Sequence, residues 1–516
     1  MVPNISTIAA IGILCVFIFK FLILPLFLCP LSRIPGPKIY ALTKWRLAYE
    51  DWKGTRTRTI LRLHQKHGPV VRVGPQEVSF SSLSALRTIY GAGSGFERTS
   101  FYDMFDVYGT KNLFTFHSVK QHADRKKLLA YAYSKSVMVK GRNASIVQSK
   151  VRDYLNFIET DRARAEEIFS GLHYFSIDTI TEFLYGDFGK TECMRGNEIH
   201  RALLNDIMDL SRRKLSWYAV HLPTYTRWLY SRTGIPQSLA RCLYPMAKPT
   251  TYTGIREHAL NAWRCFRAAP EATKIKQDTI ISKLWLHHKS QKAEGLSDLD
   301  IASECADHLL AGIDTTADAL MFLIWALSRP QNQEFQRKLQ EEVRRVRDSK
   351  NEMLDVHECD KLPYLNAVIM ETLRLYAPLP ASEPRSHPQD VTIDGFRIPR
   401  STVVSVAPFT LHRNPEVFVN PLIFDPTRWL GQKGNLQELK KWFWAFSSGG
   451  RMCIGMHLAM AEMSTLVAAI YARYSTTLRK SMFNVAPGVT SRFEVFHDDL
   501  MERISEHECH IHFRKL

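Results

Sequence analysis

Residues 297–328 read SDLDIASECADHLLAGIDTTADALMFLIWALS. The pattern predicts one very long helix. Ser297 and Asp300 form a capping box at its start, and Pro330 marks its stop. Roughly 30 residues at ~1.5 Å each span about 45 Å, the width of a whole domain. No Gly/Ser-rich or Pro-rich linker cuts the middle of the 516 residues. The chain therefore reads as one large domain, or one with a small β-rich subdomain.

The same helix carries an oddity at AGIDTT, residues 311–316. Gly312 costs up to about 1 kcal/mol relative to alanine, Thr315 and Thr316 are poor helix formers, and a buried Asp314 needs a partner. Two readings stand open here. One is a kink whose polar groups are satisfied. The other is a groove or bulge for a small ligand, with the acid Asp314 and the alcohol Thr315 delivering protons in order to dioxygen reduced on a metal.

Around that helix the sequence is mostly helical with a minor β part. Residues 67–90 predict two short strands about Gly74-Pro75 and then a helix. Residues 120–215 and 235–290 carry helix-like periodicity. A further helix is predicted over about 363–376, and an Asp394-Gly395 hairpin within 390–406. After Cys453, IGMHLAMAEMSTLVAAIYARY is apolar nearly all round and predicts a buried helix.

The N-terminus predicts a membrane anchor over residues 1–29. Ile8 to Cys29 is about long enough to cross a bilayer, interrupted by Lys20 and bent by Pro25. No charged side chain precedes it, and Arg33, Lys38, Lys44 and Arg46 follow. The basic flank places the body on the cytosolic side, and the absence of a basic start argues against a cleaved signal. Residues 30–40, with RIPGPK at 33–38, predict a stiff hinge, leaving 41–516 as the main domain.

Nine widely spaced cysteines with no CxxC fit a reducing compartment, not a disulfide framework. The net charge of +17 suits either solubility or an anionic partner, lipid or protein. Nucleic acid is excluded: no motif for it is present, nor a dense basic run with interleaved aromatics.

Glu371 and Arg374 share one helix face in an apolar setting, so a buried ion pair is predicted. Such a pair needs further hydrogen bonds, and Arg428 in FDPTRWL is placed to join it as a structural clamp.

FSSGGRMCIG, residues 446–455, presents one sulfur, Cys453, on bare backbone. Gly449, Gly450 and Gly455 allow a flat object to come close or the chain to turn with positive φ. A helix starting just after Cys453 points its amides at the sulfur and favours a thiolate. Arg451 suits an anionic group on the edge of the same object. A flat, anionic-edged metal macrocycle bound by one thiolate is haem.

These residues carry a resemblance. FSSGGRMCIG matches FxxGxRxCxG, the haem signature of the cytochrome P-450 superfamily. AGIDTT resembles its oxygen-activating motif, and Glu371/Arg374 its ExxR. Pro426, Arg428 and Trp429 resemble its PxRW element, and RIPGPK the hinge of microsomal members. The resemblance spans essentially the whole chain. It implies the cytochrome P-450 fold, mainly α with a minor β part, and haem b with Cys453 as its axial thiolate. Phe446 would shield the sulfur. Arg451, Arg385 and His122 would hold the propionates, with Lys126 a weaker contact where the family often has arginine, and Arg125 its alternative. Asp314 and Thr315 would relay protons. The implied enzyme is a monooxygenase of the endoplasmic reticulum membrane, single-pass, catalytic domain cytosolic. It would be fed by NADPH-cytochrome P-450 reductase, with cytochrome b5 as a further donor. Residues 100–120, Ala311 and Leu379–Ser382 would meet a lipophilic small molecule, and HRNPEVF and RFEVFHDD resemble fungal secondary-metabolism members. An O2-independent haem-thiolate isomerase or dehydratase, and a non-catalytic haem-binding protein, are the alternatives; the intact Asp314–Thr315 pair argues against the first.

Overall fold

Ser297 caps the central helix, Asp298–Ser328, reciprocally with Asp300, and Arg329 ends it before Pro330. The computed structural model describes residues 5–231, 238–239, 254–290, 296–350, 355–431, 436–491 and 495–516; parts of the helix-like stretch 235–290 and of RFEVFHDD lie outside them. The helix has the length and apolarity of a membrane span, but it is core: Ala317 to Ser328 are all buried. Helices Ile168–Tyr185, Pro363–Leu375 and Met456–Tyr471 pack against it. They are buried nearly all round, which explains why a period-3.6 stripe is hard to see in their sequences.

The helix runs through AGIDTT in unbroken α geometry, so its backbone carries no bulge there. Gly312 serves close packing. A Cβ there would sit 2.7 Å from Ile180 Cγ1 of helix Ile168–Tyr185.

The β part flanks this helical body. A five-stranded sheet has the order β1 (Val70–Gly74), β2 (Glu77–Phe80), β7 (Val403–Val406), β4 (Arg385–Ser386), β3 (Glu97–Arg98). β2 and β7 are parallel, and the other neighbours antiparallel. The Asp394-Gly395 turn does form a hairpin, but only of β5 (Val391–Ile393) and β6 (Phe396–Ile398). Residues 403–406 leave it to join β2.

The N-terminal segment is helical from Ile5 to Leu28, turning from α to π geometry at Phe19, with Pro25 inside it. None of Ile8–Leu28 is buried. At its end Arg72 donates to the carbonyls of Pro25 and Pro75, while its backbone N–H bonds to Pro35 O. Gly36 between the hinge prolines is required: its φ is +144°, and a Cβ would lie 2.8 Å from Arg72 O. The eight described cysteines are all free thiols.

Candidate active site

Glu371 and Arg374 lie wholly buried on helix Pro363–Leu375, paired through two hydrogen bonds of 2.8 and 2.9 Å. Every remaining lone pair and proton is used. Glu371 also accepts from Arg428 Nε (3.0 Å), Trp429 Nε1 (2.9 Å) and Asp425 N (2.9 Å); Arg374 donates to His412 O, Pro421 O and Ile423 O. This is the satisfaction a buried ion pair demands. His412, which sequence reading passed over, carries the network onward. Its Nδ1 donates to Arg374 O and its Nε2 accepts from Trp444 N, both within 2.9 Å. Burial, with Arg374 and Arg413 nearby, pushes its pKa down to about 3, so the ring is neutral and can accept.

Two residues past Trp444 the cysteine loop begins. Cys453 N donates to Phe446 O at 2.9 Å, and Phe446 is partly buried against the core. Gly449 takes φ +62°, and a Cβ would sit 2.2 Å from Tyr90 O; it is the protein's own backbone that comes so close. Around Gly450 the space is open. Helix Met456–Tyr471 starts just beyond the cysteine. Burial pushes the Cys453 thiol up; the Gly455 and Met456 amides and Lys126 oppose this without cancelling it. The helix start thus acts in the predicted direction, against burial.

The sulfur lies deep in the protein yet is exposed to the lumen of a cavity of about 260 Å³. Ala311, Gly312 and Thr315 line it from the central helix, Thr315 Oγ1 donating to Ala311 O at 2.8 Å. Asp314 does not line it. Phe101, Tyr102, Phe105, Leu113 and Phe114 line it from the loop after β3, and Leu379, Ala381 and Ser382 from the segment after the Glu371 helix.

Basic residues gather on the cavity wall. His122, Lys126, Arg451 and Arg98 all line it. Arg451 donates to the carbonyls of Phe116 and His117 (2.9 and 2.6 Å), and Arg98 to those of Leu113 and Phe114 (2.9 and 2.6 Å). Burial, and after it neighbouring arginines, pushes Arg98 down to about 10, Arg451 to about 9 and His122 to about 2. Two expectations change here. Arg385 does not line the cavity, because Tyr102 Oη and Glu383 take up its guanidinium. Lys126 reaches the carbonyls of Gly450 and Met452, both at 2.9 Å, and so ties its helix, Val119–Leu129, to the cysteine loop. Arg125 turns away to Glu304 at 2.5 Å. Arg98 was missed because nothing around ERTSF marks one arginine out; only strand pairing brings it to the cavity.

These residues fit haem. Arg98 Nε is buried without a hydrogen-bond partner, and the cations repel one another, so the cavity wall calls for an anion. Among the described residues no group of three or more His, Cys, Asp or Glu is placed to share a metal ion. A metal held by Cys453 must bring its other ligands with it, as a macrocycle does.

Comparison with known proteins agrees. Residues 35–485 match the Cytochrome P450 family. The chain is 34% identical over 451 residues to Cytochrome P450 monooxygenase stcB of Emericella nidulans, covering 86% of this chain and 82% of that one. It is 30% identical to Cytochrome P450 monooxygenase aflV of Aspergillus parasiticus and to Cytochrome P450 monooxygenase cypX of Dothistroma septosporum, each over 86% of this chain and 84% of the relative. A lone cysteine lining the same cavity as the Ala311, Gly312 and Thr315 helix face, with that match over most of its length, establishes that the chain belongs to the cytochrome P450 family and is an oxidoreductase of its monooxygenase type.

Proposed function

We propose that the chain hydroxylates, epoxidises or oxidises in several steps a lipophilic small molecule of fungal secondary metabolism, using O2 and electrons from a separate NADPH-cytochrome P450 reductase. The observation that carries this reading is that the Cys453 sulfur lines one cavity together with Ala311 and Thr315. Haem b, held by Cys453, would supply the oxygen chemistry. Arg451, Arg98 and His122 hold its propionates, with Lys126 fixing the loop and Arg385 standing behind Arg98. The Gly455 and Met456 amides and Lys126 stabilise the negative sulfur. Phe446 shields it. Thr315 presents its hydroxyl to the cavity, and Asp314, the preceding residue, holds the proton that hydroxyl passes on. The aromatic loop residues 101–114 exclude water and select apolar substrates. Glu371, Arg374 and Arg428 clamp the layer beneath the cysteine.

The apolar segment Ile8–Leu28 anchors the protein in the endoplasmic reticulum membrane, with residues 41–516 as the cytosolic domain behind the 30–40 hinge. The reductase docks on the basic surface beside Cys453, with cytochrome b5 as a second donor.

The reduced, carbon monoxide-bound spectrum of the purified protein tests the ligand. A thiolate-type band is expected, and an imidazole-type band, or folded protein that takes up no haem, overturns the reading. Expression with a reductase and mass spectrometry of lipophilic candidates then identifies the substrate.

A further inference from the structure

Asp318 lies one turn beyond Asp314, on the same face of the central helix. It is buried, and its Oδ1 has no hydrogen-bond partner. At 3.8 Å stands Nε2 of His173, from helix Ile168–Tyr185, also buried and also without a hydrogen-bond partner. Two orphan polar atoms facing each other in a packed core call for an explanation.

The tautomer supplies it. His173 Nδ1 is 2.8 Å from Phe169 O. A carbonyl only accepts, so Nδ1 carries the proton and Nε2 of the neutral ring is a lone pair. Burial pushes the His173 pKa down to about 3, which keeps the ring neutral. A lone pair facing a carboxyl oxygen repels a carboxylate and accepts from a carboxylic acid. A protonated Asp318, turned slightly to shorten 3.8 Å to hydrogen-bond length, satisfies both atoms at once. Burial first, and the charge of Asp314 second, push the Asp318 pKa well above the carboxylate range, in the same sense. Among the described residues the titratable groups facing Asp318 are Asp314 on its own helix and His173 on the next. His507 stands behind His173, against Phe169.

Asp318 also lines a crevice of about 10 Å³, bounded by Phe322, Pro378, Pro380, Val489, Ser491 and Phe496. That is room for about one water.

We infer that Asp318 stands as a neutral acid hydrogen-bonded to His173 and resupplies Asp314 with protons. The inference rests on the reading of Asp314 and Thr315 as the proton pair. When Asp314 has given up its proton, its carboxylate takes one from Asp318 in step with the reprotonation of Asp318, because the Asp314 charge alone tightens the hold of Asp318 on its proton. Asp318 regains one from water in the crevice, so each cycle moves one solvent proton inward. Asp318 touches neither substrate nor cofactor. It acts through Asp314, and His173 positions it.

Infrared spectroscopy of the purified holoprotein tests the first half without turnover. A protonated-carboxyl stretch is expected, shifted by D2O, lost in Asp318→Asn and moved to higher frequency in His173→Phe. No such band assignable to Asp318 overturns the inference. The second half is read from NADPH oxidation with a supplied reductase, in H2O and D2O. Asp318→Asn is expected to slow it several-fold and enlarge the solvent isotope effect, with partial recovery in Asp318→Glu. An unchanged rate and isotope effect, with the band present, overturns the relay. Asp314→Asn distinguishes the two readings: unchanged kinetics there overturn the Asp314–Thr315 pair itself, while the band still decides the state of Asp318.

Discussion

Arg98 and Arg385 stand directly opposite each other in the β3–β4 pair, both buried. Like charges so placed oppose the pairing of strands. Arg385 is compensated by Glu383 and Tyr102. Arg98 has only two carbonyls and the ring faces of Tyr102 and Phe114, each 4.8 Å away. Arg451 and Lys126 share that wall with the carboxylates Asp307 and Glu383, and Glu383 is hydrogen-bonded to Arg385. The fold thus builds in a cationic excess that a dianion resolves.

Arg98→Gln should therefore weaken haem binding more than it weakens the polypeptide. Charge-assisted hydrogen bonds contribute about 1.5–3 kcal/mol, so roughly a 10- to 100-fold loss of affinity is expected. Haem titration and the urea midpoints of haem-free and haem-loaded protein check this. Equal destabilisation of both forms would show that Arg98 is only structural.

Gly312→Ala ought to destabilise the protein despite the better helix propensity of alanine. The new Cβ meets Ile180 Cγ1 at 2.7 Å and Cδ1 at 2.9 Å. Overpacking of this kind costs about 1–3 kcal/mol, against up to about 1 kcal/mol gained from propensity. In an Ile180→Ala background the two contacts are gone, and the same substitution should become neutral or stabilising. Urea denaturation of the four proteins of the cycle gives the answer.

The contrast between Gly312 and Cys453 shows what a sequence carries. The cysteine loop, the Glu371–Arg374 face and the capping box of Ser297 are local, spaced by helix or turn geometry, and so readable in one dimension. The reason for Gly312 was not, because Ile180 lies over a hundred residues away. Of the two roles read for Gly449, the positive-φ turn is present, and the close approach there is made by the Tyr90–Ala92 backbone. Arg98 and His412 reach the site only through strand pairing and a loop crossing. Lys126 and Arg385 were expected at the propionates, but local carbonyls compete for Lys126, and Glu383 and Tyr102 for Arg385, and competition is not a property of spacing.

His412 couples the Glu371–Arg374 layer to the cysteine loop through Trp444 N. His412→Leu leaves Trp444 N and Arg374 O without these partners, at a cost of about 1–3 kcal/mol each. Beyond lower stability, the carbon monoxide-bound spectrum should show a growing fraction lacking the thiolate-type band as the loop loosens. A variant destabilised with a wholly thiolate-type spectrum would confine His412 to packing.

Glu462, on the helix after Cys453, offers a test by pH. Burial pushes its pKa up to about 8, with Thr316 partly opposing. Below the ordinary carboxyl pKa the folded and unfolded chains both hold the proton, and Glu462 makes no difference. Between about 4.5 and 8 the folded protein keeps a proton that the unfolded chain has lost. Raising the pH therefore favours unfolding, by at most about 1.4 kcal/mol per unit. Above about 8 both forms are ionised and the full penalty is in place. Glu462→Gln removes this dependence. Its stability relative to the parent protein should rise from about pH 5 to about pH 8 and then level off. Urea midpoints of the two proteins across that range measure it, and parallel curves would mean that the carboxyl is already ionised at neutral pH.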